Sequence, residues 1–406
     1  MRRAALEIDR MIRRAVLFGG LAAALAACAP QPSAVSPAPS AGVAPQAAAS
    51  PRVDLSRPVR VALLAPRSAV NSEDQAAAAD VEAAARLAAG EAGGPAVDLR
   101  VYDTAGRGPT AASAMRRAVS EGAQVVIGPF FRDTTNAVRP VAEETGAPVL
   151  SFSSDSAAGD PPVWVLGDLP EASVERIVGY AAGRGAGAIA LVRPETEYGR
   201  LVETALREAA PRVGARVVET VPYVRSAQGV EAAAESGAQR ILASGANAAL
   251  IADGGLALRT VASFLAFHDV LQPQVRYLGT ALWATPDIAA EAPLRGGWFA
   301  APDPQRLAAF EARFREATGR DPHPLAAFGY DAMRAVSTFA ARARSAGSDR
   351  PFTAEAIAAV PRIDGARGAF RLTPGGENRR ALAVLEVTEG GFALLDPAPG
   401  VLAGGS

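Results

Sequence analysis

Two clusters of hydroxyl side chains stand at the ends of short apolar runs. Val125–Ile127 is followed by Thr134, Thr135 and Asn136, and residues 148–150 by Ser151, Ser153, Ser154 and Asp155. Runs so short and β-branched read as strands rather than helices. Hydroxyls at strand ends in an α/β chain are placed to hydrogen-bond a small ligand. Thr134 and Thr135 fall at or near a helix N-terminus, where free N–H groups and the helix dipole favour an anion. The same hydroxyls serve equally well to cap the helix. Ser153 and Ser154 are either ligand contacts or polar groups of a loop. Asp155 beside them repels an anion unless a cation accompanies it.

Transfer chemistry finds little support. His268 and His323 are the only histidines, one near a helix end and the other in the proline-bounded loop "DPHP". There is no GxSxG elbow, no GxxxxGK[ST] loop and no paired His/carboxylate motif of a metal hydrolase. "GRGAG" (183–187) follows a helix and precedes a strand, the reverse of a dinucleotide fingerprint, so it reads as a helix stop. The expectation is a protein that is not an enzyme and holds neither cofactor nor metal. Its 41 basic and 42 acidic residues nearly cancel, to a net charge of −1. No basic stripe points to nucleic acid.

The elements that must position these residues alternate regularly. "VRVALLAP" precedes a helical stretch in which Ser72 and Gln75 form a possible capping box. "VDLRVYD", a helix over 109–122, 124–127, a helix from about 134 to 144 and 148–152 continue the pattern. It restarts after "VWVLGDLP", with strands at 188–192, 215–223, 248–253 and 275–279. Such βαβα alternation predicts two doubly wound parallel-sheet lobes with a ligand cleft between them. The tail, "GAFRLTP", "RALAVLEV" and "GGFALLD", is β-rich, with Gly390 and Gly391 in a hairpin turn.

The N-terminal region has a separate task. Arg13 and Arg14 precede the apolar run 15–27, too short to cross a bilayer and shaped like a secretory signal. "LAAC" resembles the bacterial lipobox, which implies acylation of Cys28, the only cysteine; an ordinary signal peptide is the alternative. Glu7 and Asp9 are unusual in such a signal, so translation is expected to start at Met1 or, more simply, Met11. Ala29 after the cysteine points to the outer membrane. Residues 28–56, rich in Pro, Ala and Ser, read as a disordered tether that spans ~30 Å as a flexible chain.

The order of elements, with "GPFF…TGAPVLSFSS", "ETEYGRLV" and "AFGYDAMRAV", resembles the type I periplasmic binding proteins, the fold of the leucine/isoleucine/valine receptor. That resemblance implies lobe one over 57–166 and 302–345, lobe two over 167–301 and 346–398, and a tail at 399–406. It places the carboxylate grip on Thr134, Thr135, Ser153 and Ser154, with Asp155 beside the ligand and Tyr198 as an aromatic lid or a packing residue. Amino-acid receptors put an acid where Ala281 stands and often a second aromatic near Gly254 and Gly255. Trp283 either fills the cleft or plugs the lobe. More narrowly, "YLGTALWATPD", "LRGGWFAAPDP" and "FRLTPGGENRRALAVLEV" resemble the alphaproteobacterial penicillin-binding protein activators. That implies a non-catalytic lipoprotein of the periplasm whose partner is a peptidoglycan synthase. The alternative is a substrate-binding protein of an ABC importer for an amino acid or related small polar solute.

Overall fold

The computed structural model describes residues 50–400 and 402; the expected signal segment, Cys28 and most of the tether lie outside the described residues. Five parallel strands form the first sheet: β1 (Val59–Ala65), β2 (Val97–Asp103), β3 (Val125–Ile127), β4 (Val149–Ser151) and β5 (Val163–Val165), in the order β2-β1-β3-β4-β5. Strands β3, β4 and β5 are buried along their whole length, which is why they read as unbroken apolar runs rather than alternating ones. Helices α1 (Ser72–Glu91), α2 (Gly108–Ser120) and α3 (Arg132–Thr145) connect them. α1 packs on one face of the sheet, α2 and α3 on the other.

The second sheet follows α4 (Pro170–Ala182). Its strands β6 (Ala188–Pro194), β7 (Arg216–Tyr223), β8 (Ala248–Ile251), β9 (Arg276–Gly279) and β10 (Trp298–Ala301) alternate with α5 (Glu197–Arg212), α6 (Ala227–Ala243), α7 (Gly255–Phe267) and the short α8 (Pro286–Ala289). α4 and α5 cover one face of this sheet, α6 and α7 the other. The chain then returns to the first lobe through α9 (Pro304–Thr318) and α10 (Ala326–Ser345). Phe310, Phe314, Met333 and Phe339 of these helices join the core against α1. The fold is therefore α/β with two doubly wound lobes, each with its own core.

Three expectations need correction. The residues 346–398 do not all belong to lobe two. After α11 (Ala354–Ala358), the strands β11 (Ile363–Gly365), β12 (Gly368–Leu372) and β13 (Asn378–Arg380) build a small antiparallel sheet; its Ile363, Phe370 and Leu372, with Phe352 before α11, enter the lobe-one core. Asn378 fastens it by donating to the carbonyls of Val165 (3.1 Å) and Gly167 (2.9 Å). Only β14 (Ala383–Thr388) and β15 (Gly391–Asp396) reach the second sheet, ordered β15-β14-β10-β9-β8-β6-β7. The last passage between lobes thus lies at 381–382. Second, the N-cap of α1 is Asn71, whose side chain accepts from the Glu73 amide at 3.0 Å, and Gln75 reaches back to the Ala69 carbonyl. Third, α3 begins two residues earlier than expected, which changes the meaning of Thr134 and Thr135.

Candidate functional site

The wall of the site begins with "GPFF". Gly128 has φ +79, and a Cβ there would stand 2.4 Å from the Leu64 carbonyl oxygen, so the turn out of β3 requires glycine. The Phe152 amide donates to the Pro129 carbonyl at 2.9 Å, which ties the ends of β3 and β4 together. Thr134 sits at the third position of α3, almost fully buried; its Oγ1 accepts from the Phe131 amide (3.2 Å) and donates to the Phe131 carbonyl (2.8 Å). Thr135 donates to the same carbonyl at 2.8 Å and lies 2.7 Å from Ser151 Oγ. Both threonines stand behind the cleft wall rather than on it. Their work is to fix the turn that presents Phe130, Phe131 and Arg132.

Between the lobes lies a cleft of about 530 Å³. Ser153, Ser154, Asp155 and Tyr198 all line it. Ser154 is exposed, and its hydroxyl makes no hydrogen bond among the described residues, whereas Ser153 is buried and its Oγ accepts from the Asp155 amide at 3.2 Å. Asp155 is held by Arg132, whose Nε lies 2.8 Å from its carboxylate. That guanidinium is the cation that lets a carboxylate stand here. Tyr198 enters from the first turn of α5, its hydroxyl 2.7 Å from Thr280 Oγ1. Burial pushes its phenol far above the ordinary value, against the pull of the Thr280 hydrogen bond, so it acts as a neutral group.

Sequence reasoning missed the residues that give the cleft its character. Phe130, Phe152 and Phe328 form a continuous aromatic floor, with centroids 5.3 Å apart for Phe130–Phe152 and 6.4 Å for Phe152–Phe328. Leu201, Leu282 and Leu325 extend it. Arg367, from the turn between β11 and β12, lies over the Phe328 ring at 4.5 Å and pairs with Asp168 at the cleft edge. "FF" in the quoted stretch was the one visible sign; Phe328 and Arg367 arrive from distant segments that no spacing rule connects to it.

Trp283 is not in the cleft. It is fully buried in the lobe-two core, 6.2 Å from the Phe299 ring. Ala281, at the acid position of amino-acid receptors, does line the cleft. Each carboxylate on the cleft lining already has a cation: Asp155 has Arg132, Asp168 has Arg367 and Glu197 has Arg200. Among the described residues no group of His, Cys, Asp and Glu could hold a metal ion.

The profile of the family described as "Periplasmic binding protein" matches residues 58–392. Among solved structures, a branched-chain amino acid ABC transporter protein from Rhodospirillum rubrum superposes with a TM-score of 0.71 at 21% identity, over 83% of this chain and 100% of that one. A branched-chain amino acid ABC transporter periplasmic ligand-binding protein of Burkholderia xenovorans LB400 gives 0.65 at 19%, over 84% and 95%. A solute-binding protein of Rhodopseudomonas palustris BisB5, in complex with 3,4-dihydroxybenzoic acid, gives 0.59 at 15%, over 84% and 98%. At these identities the likeness is one of fold. No curated protein matches the chain.

Proposed function

We propose, for a chain that belongs to the periplasmic binding protein family, that the cleft receives a small organic acid with a ring or branched apolar body, as the receptor step of an ABC importer. The observation that carries this reading is the lining itself: an aromatic floor with hydrogen-bonding groups at one end and no unpaired carboxylate. An α-amino acid brings an ammonium that needs a carboxylate once desolvated, and Ala281 supplies none. A carboxylate head, by contrast, meets the Ser154 hydroxyl and the remaining donors of Arg132. The dihydroxybenzoate-bound relative shows that this fold accommodates an aromatic acid.

A thermal-shift panel of proteinogenic amino acids and of benzoate, its hydroxylated forms and phenylalkanoates tests the proposal. A ligand at a hundred times its Kd adds about 2.7 kcal/mol, so an aromatic acid should raise Tm measurably while leucine leaves it unchanged. Stabilisation by leucine, or by none of the acids, would sink it.

The stretches that resemble penicillin-binding protein activators support the packing of this fold more directly than a protein contact. Trp283, Phe299, Asn378 and Leu385 within them are buried, and they offer a synthase little surface. Direct binding of the purified protein to a bifunctional peptidoglycan synthase would revive that reading. In either reading the folded body stands in the periplasm, attached through Cys28. Radiolabelled palmitate should enter the protein in cells and be absent from Cys28→Ser; label retained by the variant would remove the anchor from the proposal.

A further inference from the structure

We propose that the solute has two parts, and that an apolar arm passes from the aromatic cleft between Tyr198 and Leu282 into a second chamber inside lobe two. This rests on the receptor reading above and specifies its ligand further. The chamber, about 770 Å³, sits at the carboxyl ends of β6, β7 and β8, and Tyr198 and Leu282 line both it and the cleft. Each space falls within the roughly 300–1,000 Å³ of pockets for drug-sized ligands, and the two adjoin at the residues they share, Tyr198 and Leu282.

The chemistry of the lining selects what enters. Pro194, Val230, Leu256 and Ala257 form apolar walls, and Leu256 and Leu282, 73% and 42% exposed, present apolar surface on one concave lining. The Gly254–Gly255 turn adds no side chain, and a Cβ on Gly255 would meet nothing within 4 Å. The N-termini of α5, α6 and α7 converge here, which would ordinarily favour an anion. Side chains already engage one first-turn amide of α5 and one of α6, while α7 has no side-chain cap. Thr196 accepts from the Gly199 amide and Ser226 from the Gly229 amide. Asp253, almost fully buried, occupies the third position: its carboxylate accepts from the Gly254 amide (2.8 Å) and from the Tyr223 hydroxyl, and pairs with Arg225 at 3.0 Å. An anionic group entering the chamber would face that carboxylate. An alkyl or aryl-alkyl arm meets apolar walls and displaces water.

The test is a calorimetric titration of the full-length chain with benzoate, 3-phenylpropanoate, 4-phenylbutanoate and 6-phenylhexanoate. Affinity should rise about two- to fourfold per added methylene. Ala257→Trp, which projects an indole from the chamber wall into the path of the arm, should abolish that gain while leaving the benzoate Kd within about twofold of the unmodified chain. Ala227→Trp, on the exposed opposite wall, should do the same and guards against misfolding of the first variant. If benzoate binds but longer acids bind no tighter, or if both tryptophan variants keep the gain, the second chamber is not a ligand site. If no acid binds at all, the receptor reading falls and this inference falls with it.

Discussion

Asp331→Ala should lower the stability of the fold by about 3–5 kcal/mol, the range found when one partner of a buried ion pair is removed. Asp331 lies in α10 with no solvent exposure, and its Oδ2 meets Arg380 Nη1 at 2.7 Å; the two side chains are 0% and 3% exposed. Its other oxygen accepts from the Ala366 amide at 2.6 Å. Burial pushes the Asp331 carboxyl above the ordinary value, opposed by the Arg380 guanidinium, so the pair already works against desolvation. Removing the acid leaves a cation in the core of lobe one, with Arg380 Nε and Nη2 unpartnered in the native protein as well. Urea denaturation at neutral pH measures the loss. The control is Asp331→Leu combined with Arg380→Met, which should recover most of it, because an apolar pair of similar volume carries no desolvation cost. A loss below about 1 kcal/mol in the single variant would show that the pair contributes little. The pair also has a bearing on the cleft. It joins α10, which carries Phe328, to the small sheet, which carries Arg367.

How much of this was legible in the sequence depends on the length scale of the interaction. The alternation of strands and helices was readable because buried parallel strands such as 188–192 are unbroken apolar runs. α6 went unread. Its inward face is Val230, Ala234, Gly237, Ala238 and Ile241, and three of these five are alanine or glycine, so its periodic signal is weak. The placing of the small sheet was hidden for a different reason. "GAFRL" and "AVLEVT" look alike as strands, yet one packs on lobe one and the other extends the lobe-two sheet, and the choice is made by contacts such as Asn378 with the ends of β5. At the site, Ser153, Ser154, Asp155 and Tyr198 were visible because they stand at element ends. Thr134 and Thr135 stand at an element end too, but a two-residue shift in the helix start decides whether a hydroxyl faces the ligand or its own helix. The aromatic floor joins Phe130, Phe152 and Phe328 across three segments, and only the folded lobe brings them together.

Trp283→Ala, the other large effect, should cost about 3–5 kcal/mol, as expected for truncating a buried aromatic side chain. The ring packs among core side chains, and backbone closes on it at two places. A Cβ on Gly279 would stand 2.2 Å from it and one on Gly297 2.9 Å, so two glycines shape its slot. At those two glycines the wall is backbone and can close little of the space left when the ring is removed. Trp283→Phe should cost less, since Nε1 is buried without a partner and its removal forfeits no hydrogen bond. The converse substitution, Gly279→Ala, should cost about 1–3 kcal/mol by overpacking. Binding measurements then separate a plug from a ligand contact. Trp283 closes the one-turn 3₁₀ segment Ala281–Trp283, and both Ala281 and Leu282 line the cleft. A ligand contact would lose affinity in proportion to the ring removed, in Trp283→Phe as well as in Trp283→Ala. A plug keeps benzoate affinity in Trp283→Phe, where the turn stays seated, and loses it in Trp283→Ala, where the turn is released. Equal loss of affinity in both variants, with stability little changed, would return Trp283 to the cleft.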